Sequence, residues 1–244
     1  MMNQMCRMVG LLAASPVVTR GLLRDAPRSL WALSREHPDG WGVAVREAGE
    51  WIVSRGTACA QTSPEYDVLA RETRARVLVA HVRQKTVGAT SLLNTHPFRR
   101  GGYVFAHNGT VKELGPLAAR TSAARAAEIS GDTDSERLFA FLATAIDDVD
   151  GDIERGLVAA VRELHAFGDV GSASFLFSCG TRIYAHRLGR PLHVLVRHTA
   201  IDARRTPTVV VASERLTDEP WTELPERTFC VIEDAGGAPA LRVL

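Results

Sequence analysis

Lysine is scarce in this chain: of its 29 basic residues, only Lys85 and Lys112 are lysines, and the others are arginines. The arginines are spread along the sequence among 28 acidic residues, which leaves a formal net charge of +1. Nucleic acids and anionic membranes attract proteins that concentrate positive charge. We therefore expect neither a nucleic acid nor a membrane as a partner.

The sequence also lacks long apolar runs, internal repeats and linkers rich in Pro, Gly or Ser. No run approaches the roughly 20 apolar residues that a membrane-spanning helix needs. The apolar stretch 8–18 raises the question of a signal peptide, but it is short and contains Gly10 and Pro16, so a buried first strand fits it better. With 244 residues, 45% of them hydrophobic, one domain is the simplest organisation.

Cysteine is rare, and no two cysteines have Cys-x-x-Cys spacing, which argues against a zinc knuckle or a thioredoxin motif. In a chain long enough for a good core, isolated cysteines are expected to be reduced thiols of a cytoplasmic protein. His81, His96 and His107 do not match a compact metal-ligand motif either, so we expect no metal and no cofactor. The four cysteines are Cys6, Cys59, Cys179 and Cys230.

Hydrophobic periodicity predicts two buried strands in the first half of the chain that end in polar residues. Strand 76–83 places His81 and Arg83 on the same face, because side chains alternate across a strand. Strand 103–107 is expected to end in a tight turn at Asn108-Gly109.

The segment Thr133-Asp134-Ser135-Glu136 has the form of a capping box and predicts the start of a helix that continues to about Ile146. Strands, then helices, then strands again predict helices layered around packed antiparallel sheets. Periodicity alone leaves open an α+β sandwich and a two-layer α/β fold. The other predicted elements are a strand at 8–14, helices at 27–35, 64–74 and 153–165, a hairpin of 43–46 with 51–55, and strands at 174–178, 182–187, 193–197, 208–212 and 228–233.

Five short motifs contain residues that could carry chemistry. Each is ordinary alone: a cysteine is usually a small apolar residue, Asn-Gly is usually a turn, and an acid at a helix start usually complements the helix dipole. Their order and spacing together are much more specific. The motifs are Met5-Cys6-Arg7, Asp39-Gly40-Trp41-Gly42, His81-Val82-Arg83, His107-Asn108-Gly109 and Gly131-Asp132-Thr133-Asp134-Ser135-Glu136.

This combination resembles the glutaminase domain of class II glutamine amidotransferases, in particular the members that are not fused to a synthase. The run from Asn94 to Phe98 fits the same family. The resemblance is strong from about Met5 to Leu142 and looser beyond, where the segment from Val211 to Glu214 with a following Trp221 also fits. It implies an α+β fold, the four-layer αββα sandwich of N-terminal-nucleophile hydrolases.

The resemblance also implies an enzyme and a set of residue roles. Cys6 would be the nucleophile, with its own α-amino group as the base, directly or through water. The Asn108 side chain and the Gly109 N–H would form the oxyanion hole. In the substrate site, Arg83 with Thr86 would bind the α-carboxylate, and Asp134, with the backbone at Gly109, would bind the α-ammonium.

The chemistry of these residue types agrees with the implied roles. A free thiol has a pKa near ~8.5 and an α-amino group near ~7.7–8.0, so the neutral amine can accept the thiol proton close to neutral pH. Loss of one oxyanion donor typically lowers the rate about 10²–10³-fold, and Asn108-Gly109 offers two donors side by side. Arg83 can bind a carboxylate through two parallel hydrogen bonds. By position in the matched segment, Asp134 rather than Asp132 is the expected ammonium ligand.

The first five residues conflict with a terminal nucleophile, because an amine in a peptide bond cannot act as a base. We expect residues 1–5 to be removed and residues 6–244 to form the amidotransferase domain. Either translation starts at Met5, whose methionine is then removed, or a short propeptide is cleaved. The first alternative is favoured, since methionine removal before a small residue is routine.

Two versions of the reaction remain open, both on a small-molecule substrate. The enzyme would hydrolyse glutamine and hand ammonia to a separate synthase, or it would hydrolyse a γ-glutamyl compound without ammonia transfer. A different class of function is a catalytically silent module that keeps Arg83 and Asp134 to bind an amino acid.

Overall fold

Two antiparallel β-sheets pack face to face in the computed structural model, which describes residues 6–197 and 206–244. The strands over these residues are β1 (Arg7–Val18), β2 (Trp41–Glu47), β3 (Glu50–Gly56), β4 (Arg74–Val82), β5 (Phe98–Arg100), β6 (Tyr103–Val111), β7 (Gly171–Ser178), β8 (Ile183–His186), β9 (His193–Arg197), β10 (Thr208–Ala212), β11 (Thr222–Glu223), β12 (Phe229–Asp234) and β13 (Pro239–Val243). The α-helices are α1 (Leu30–Leu33), α2 (Pro64–Glu72), α3 (Leu114–Arg120), α4 (Ala123–Ala126), α5 (Asp134–Asp147) and α6 (Ile153–Ala166).

The first sheet has seven strands among the described residues, in the order β11-β9-β10-β1-β4-β2-β3. The second has six, in the order β13-β12-β8-β7-β6-β5. The strand that opens the chain, β1, therefore lies in the middle of the first sheet, between β10 and β4. Strand β6 lies near one edge of the second sheet, with β5 as its outer neighbour.

Three apolar cores separate four layers. One core lies between the two sheets, a second packs α1 and α2 on the outer face of the first sheet, and a third packs α5 and α6 on the outer face of the second. This arrangement confirms the αββα sandwich and decides against the two-layer alternative. The expected removal of residues 1–5 falls outside the described residues.

The alternation of β1 assigns its side chains to two different cores. Met8 and Leu12 join the core between the sheets, whereas Val9 and Leu11 join the core under α1 and α2. Because both faces of β1 are covered, its sequence is an almost continuous apolar run rather than an alternating one. The same alternation directs the side chain of Cys6 toward the space between the sheets.

Most predicted elements are confirmed, with shifts at their ends. The helix predicted at 27–35 is only the short α1, which Ser29 caps by accepting the Ala32 N–H at 3.3 Å. The helices α3 and α4 and the strands β5, β11 and β13 were not predicted. Over the described part of the chain, no helix is long and apolar enough to cross a membrane.

The turn predicted at Asn108-Gly109 is wrong. Both residues lie inside β6, which continues to Val111, and Gly109 is opposite Ala173 of β7. A Cβ at Gly109 would overlap the carbonyl oxygen of Ser172, so glycine serves here to let two strands approach closely. Its positive-φ freedom, which a turn would have used, is not used in this strand.

Candidate active site

The pairing of β1 with β4 places Cys6 beside Arg83. Arg7 is opposite Val82 in the antiparallel register, so the residues that come just before and just after this pair are neighbours at the same end of the sheet. Val77 and Val79 of β4 point into the core between the sheets, and the two-residue period gives Arg83 the same direction. Cys6 and Arg83 therefore share one end of the space between the sheets.

The Cys6 sulfur is held by the backbone of the next residue after Arg83. Its Sγ accepts the Gln84 N–H at 3.3 Å and lies 3.3 Å from the Gln84 carbonyl oxygen, to which the thiol can donate. Cys6 is partly exposed, and desolvation of its thiol by the surrounding chain raises the pKa to about 11. The thiol therefore needs a base to become a nucleophile at neutral pH.

Two charges of opposite sign act on the Cys6 thiol. Burial has the largest effect on the pKa of the thiol, and the Gln84 hydrogen bond has the next largest. Of the two charges, the Arg83 guanidinium lowers this pKa and the Asp134 carboxylate raises it. Both groups are thus within electrostatic range of the sulfur. Arg83 is 3% exposed and Asp134 is 5% exposed, so water screens these interactions only weakly.

The Arg83 side chain is anchored by the loop that follows it. Its two terminal nitrogens donate to the Val87 carbonyl at 2.9 Å and to the Ala89 carbonyl at 3.0 Å. The same Ala89 carbonyl accepts a hydrogen bond from the Asn94 side-chain amide at 2.9 Å. Burial lowers the pKa of Arg83 below its ordinary value, and the neighbouring Cys6 and Asp39 oppose that effect. These hydrogen bonds hold the Arg83 guanidinium in place and attach the loop to it.

The Asp39-Gly40-Trp41-Gly42 motif fixes the backbone at the same end of β4. Gly40 accepts the Arg83 N–H at 2.8 Å, and the Arg83 carbonyl accepts the Asp39 N–H at 3.0 Å. The Asp39 carboxylate accepts the Lys85 N–H at 2.8 Å. A Cβ at Gly42 would overlap the His96 carbonyl oxygen, so glycine is required for this close approach. The motif holds the segment that carries Arg83.

Strand β6 brings Asn108 and Gly109 to this end of the space from the opposite sheet. Val104 and Ala106 face the core between the sheets, and by alternation so does the Asn108 side chain, which is 3% exposed. The Asn108 carbonyl oxygen Oδ1 has no hydrogen-bond partner among the described residues. A buried amide with spare hydrogen-bonding capacity is suited to contact a bound molecule.

The backbone N–H of Gly109 points to the open edge of β6. Val111 donates its N–H to the Asp134 carboxylate at 2.7 Å, on the side away from β7. N–H groups two residues apart on a strand point the same way, so the Gly109 N–H faces the same edge. Strand β5 pairs only with the stretch up to Phe105 and does not cover this edge. Gly109 and Asp134 thus present a donor and an acceptor side by side.

His107 fixes the start of α5 against β6. Its Nδ1 lies 2.9 Å from the Ser135 hydroxyl, and its Nε2 lies 3.1 Å from the Ser172 carbonyl oxygen. Because a carbonyl can only accept, Nε2 carries the proton and Nδ1 accepts from Ser135. Burial lowers the pKa of His107, which keeps the ring neutral, and Asp134 opposes that effect. The ring positions Asp134 relative to the Asn108-Gly109 pair.

The helix start shows half of the predicted capping box. Thr133 accepts the Glu136 N–H at 3.3 Å, as expected, but the Glu136 carboxylate binds the Gly131 N–H at 2.5 Å and Arg100 at 3.0 Å. Glu136 therefore binds the loop that precedes the helix instead of completing the capping box. Asp132 donates its N–H to the Asn94 side chain at 2.9 Å, which links this loop to the one after Arg83.

Among the described residues, His81, His96 and His107 do not belong to a cluster of metal ligands. In the part of the chain that the structure describes, no group of three or more His, Cys, Asp or Glu side chains has a suitable geometry. His81 and His96 lie against each other in the core, with ring centroids 4.4 Å apart. Burial lowers the pKa of His81 to about 3 and that of His96 well below its ordinary value. Both rings are neutral core side chains.

Of the predicted site residues, Thr86 has the least support from this geometry. It is exposed on the loop after Arg83, and its hydroxyl makes no hydrogen bond to the described residues. The loop contacts to Arg83 come instead from backbone carbonyls, and the contact to Cys6 comes from the backbone of Gln84. Backbone groups carry no sequence signal, so these contacts could not be predicted from residue types.

Comparison with known proteins identifies the family of this chain. The family model described as "Glutamine amidotransferases class-II" matches residues 5–204, which is most of the chain. The chain belongs to the class II glutamine amidotransferases. The match covers Cys6, Arg83, the Asn108-Gly109 pair and Asp134.

Among relatives of this chain, a γ-glutamyl-hercynylcysteine sulfoxide hydrolase of Mycobacterium tuberculosis is 29% identical over 95% of this chain and 94% of its own length. A Haemophilus influenzae protein named as a glutamine amidotransferase is 27% identical over 79% of this chain, and a Methanocaldococcus jannaschii protein is 27% identical over 82%. The chain spans 66% and 62% of the lengths of these last two relatives.

Solved structures show the same fold at lower identity. A class II domain protein of Silicibacter pomeroyi superposes with a TM-score of 0.67 at 22% identity and covers 98% of this chain and 99% of that one. The glutamine phosphoribosylpyrophosphate amidotransferase of Bacillus subtilis has a TM-score of 0.67 at 18% identity, and the superposition covers 98% of this chain and 49% of that one. Two chains of different length thus contain the same sandwich.

Proposed function

We propose that this amidotransferase hydrolyses the side-chain amide of glutamine or of a γ-glutamyl compound, with Cys6 as an N-terminal nucleophile. The observation that carries the proposal is the meeting of four groups at one end of the space between the sheets. Cys6 and Arg83 come from the first sheet, Asn108-Gly109 from the second, and Asp134 from the start of α5. This set supplies a nucleophile, hydrogen-bond donors and both charges needed for an amino-acid head group.

In the proposed reaction, the neutral α-amino group of Cys6 takes the thiol proton, and the thiolate attacks the amide carbon. The carbonyl oxygen becomes an oxyanion that accepts hydrogen bonds from the Asn108 amide and the Gly109 N–H. When the C–N bond breaks, the α-ammonium returns the proton to the leaving nitrogen, so ammonia or an amine departs and a thioester remains. Water activated by the same amine then attacks the thioester, which releases glutamate and regenerates the thiol.

The substrate head group is proposed to lie between Arg83 and Asp134. The α-carboxylate would accept hydrogen bonds from Arg83, assisted by Thr86, and the α-ammonium would bind the Asp134 oxygen that Val111 leaves free. Because burial raises the pKa of the thiol, its ionisation near neutral pH requires a base within reach of the sulfur. That base is the terminal amine only if residues 1–5 are removed.

Hydrolysis of a γ-glutamyl compound is favoured over ammonia transfer to a separate synthase. The mycobacterial relative, which aligns with this chain along nearly the whole length of both proteins, is named for the hydrolysis of a γ-glutamyl compound. The longer relatives leave room for other activities, and ammonia transfer to a partner is the second version of the same chemistry.

The test uses protein that begins at Cys6, verified by intact mass, and a panel of glutamine and γ-glutamyl amides. We expect turnover from this form and almost none from protein that retains residues 1–5. Cys6→Ala is expected to be inactive. Cys59→Ala is the matched control, because Cys59 is also a partly exposed free thiol, whose sulfur lies 3.2 Å from the Ser34 carbonyl. Equal activity of parent and Cys6→Ala would refute the nucleophile assignment and favour a silent binding module.

A further inference from the structure

Ser213 and Glu214, just after β10, hold the two residues that follow Cys6. The backbone of Ser213 donates its N–H to the Met8 carbonyl at 3.0 Å, and the Ser213 hydroxyl accepts the Met8 N–H at 3.0 Å. Ser213 is 8% exposed, so water competes little for these bonds. Met8 is therefore fixed by both of its backbone polar groups.

Glu214 holds the intervening residue by its side chain. One carboxylate oxygen accepts from Nε of Arg7 at 2.7 Å, and the other forms an ion pair with Arg28. The Arg7 guanidinium also donates through Nη1 to the Cys6 carbonyl at 3.2 Å. A chain of contacts thus runs from Glu214 through Arg7 to the backbone of Cys6.

A terminal nucleophile has a particular need for such contacts. Once Cys6 is the first residue, no preceding chain restrains it, and unanchored chain ends fray. A nucleophile displaced by 1 Å can lose about 10²-fold in rate. The anchors available are the residues that follow Cys6 and the Gln84 backbone at its sulfur.

We propose that Ser213 and Glu214 are positioning residues for the Cys6 nucleophile: they fix the start of β1, and Glu214 sets the charge beside the terminal amine through Arg7. This inference rests on the proposed function. Neither residue contacts the substrate in this scheme, and both act through Met8 and Arg7.

The charge beside Cys6 is mixed, so a change in Glu214 alters its balance. Burial lowers the pKa of Arg7, and the charges of Glu36 and Cys6 partly oppose that effect. His37 lies beside Arg7 and is kept neutral, because burial and the Arg7 charge lower the pKa of His37 to about 4. The charged and titratable groups facing this position are Arg7 from β1, Arg28, Glu36, His37 and Asp39 from the segment between β1 and β2, Arg83 after β4, Asp134 from α5 and Glu214 after β10.

The experiment compares Glu214→Gln, Glu214→Ala and Ser213→Ala in protein that begins at Cys6. The matched control is Glu233→Gln. Glu233 also lies near a strand end and forms ion pairs with Arg182 at 2.9 Å and with Arg242 at 2.8 Å. Its side chain is 19% exposed, and that of Glu214 is 21% exposed. Loss of an arginine-paired carboxylate is therefore common to both Gln variants, and only the link to Cys6 differs.

We expect both Gln variants to lower the Tm by similar amounts and to leave the KM for a γ-glutamyl anilide unchanged. The kcat is expected to fall about 10-fold or more for Glu214→Gln and for Ser213→Ala, but not for Glu233→Gln. Removal of the Glu214 charge makes protonation of the terminal amine less favourable, so the acidic limb of the kcat–pH profile moves to lower pH. An unchanged kcat and pH profile, with folding verified, would overturn the proposal.

A second measurement does not depend on turnover. The rate of Cys6 alkylation by iodoacetamide is followed by mass spectrometry across pH, and its midpoint is expected to move to lower pH in Glu214→Gln alone. An equal midpoint in parent and variant would overturn the proposal that Glu214 sets the charge beside Cys6. By contrast, full amidase activity of Cys6→Ala would overturn the proposed function itself, so the two failures are distinguishable.

Discussion

Replacement of Asp134 by asparagine isolates the charge that is proposed to bind the substrate ammonium. The carboxylate is 5% exposed, and one of its oxygens accepts the Val111 N–H at 2.7 Å. Asparagine keeps an oxygen for that N–H and has nearly the same shape, so the strand edge is expected to survive. The loss is the negative charge on the side that faces the substrate.

The magnitude follows from the strength of a buried, charge-assisted hydrogen bond. Such a bond contributes about 1.5–3 kcal/mol, so kcat/KM for glutamine should fall about 10–150-fold. Stability should fall less, by about 0.3–1 kcal/mol, because Asp134 also complements the helix dipole of α5. A matched control is Asp152→Asn at the N-cap of α6, where Asp152 accepts the Arg155 N–H at 3.1 Å and Asp and Asn cap equally well.

The assay compares glutamine with glutaramate, which has the same amide and carboxylate but no α-ammonium. For glutaramate, Asp134→Asn should differ little from the parent, since the removed charge has no partner there. For glutamine, the loss should appear mainly in KM if the contact is equal in the ground and transition states. If Asp134→Asn impairs both substrates equally, Asp134 does not bind the ammonium and the reasoning is refuted.

Three further outcomes are expected. Gly109→Ala should reduce kcat more than about 10²-fold in an amidase assay, because the new methyl group overlaps the Ser172 carbonyl and displaces the proposed oxyanion donor; near-parental kcat would contradict this. Phe105→Ala should lower the free energy of unfolding in urea by about 3–5 kcal/mol, since the ring is fully buried and stacks on Phe139 at 5.1 Å; a loss below about 1 kcal/mol would contradict it. His186 is buried and its pKa is lowered to about 3, so the unfolded chain takes up a proton at this histidine below about pH 6.5 and the folded chain does not. The free energy of unfolding should therefore fall by about 2 kcal/mol between pH 8 and pH 5 through this residue. His186→Gln should flatten this part of the urea-derived stability profile, and an unchanged slope would argue against the assignment.

Local patterns predicted most of the fold because they report burial directly. The continuous apolar run of β1 and the one-sided apolar face of α6 each fit one place in a layered structure. The errors came where one residue type serves two purposes. Gly109 was predicted in a turn, where glycine supplies positive φ, but it lies in a strand, where glycine permits close approach.

The site, too, could be predicted from the sequence only in part. The motifs indicated Cys6, Arg83, Asn108-Gly109 and Asp134, and the register of the strands brings these segments to one end of the molecule. The backbone contacts of Gln84 had no sequence signal, since any residue has an N–H and a carbonyl. Glu136 was expected to complete a capping box, but its buried pairing with Arg100 prevailed.

The sequence by itself determined the chemical groups, the alternation of buried side chains and the layers that such alternation requires. Only the tertiary structure decided that the end of β4 lies beside the start of β1, that β5 does not pair with β6 at Gly109, and that Glu214 reaches Arg7. The physical reason is that periodicity is a property of neighbouring residues, whereas strand order and register depend on how whole sheets exclude water together.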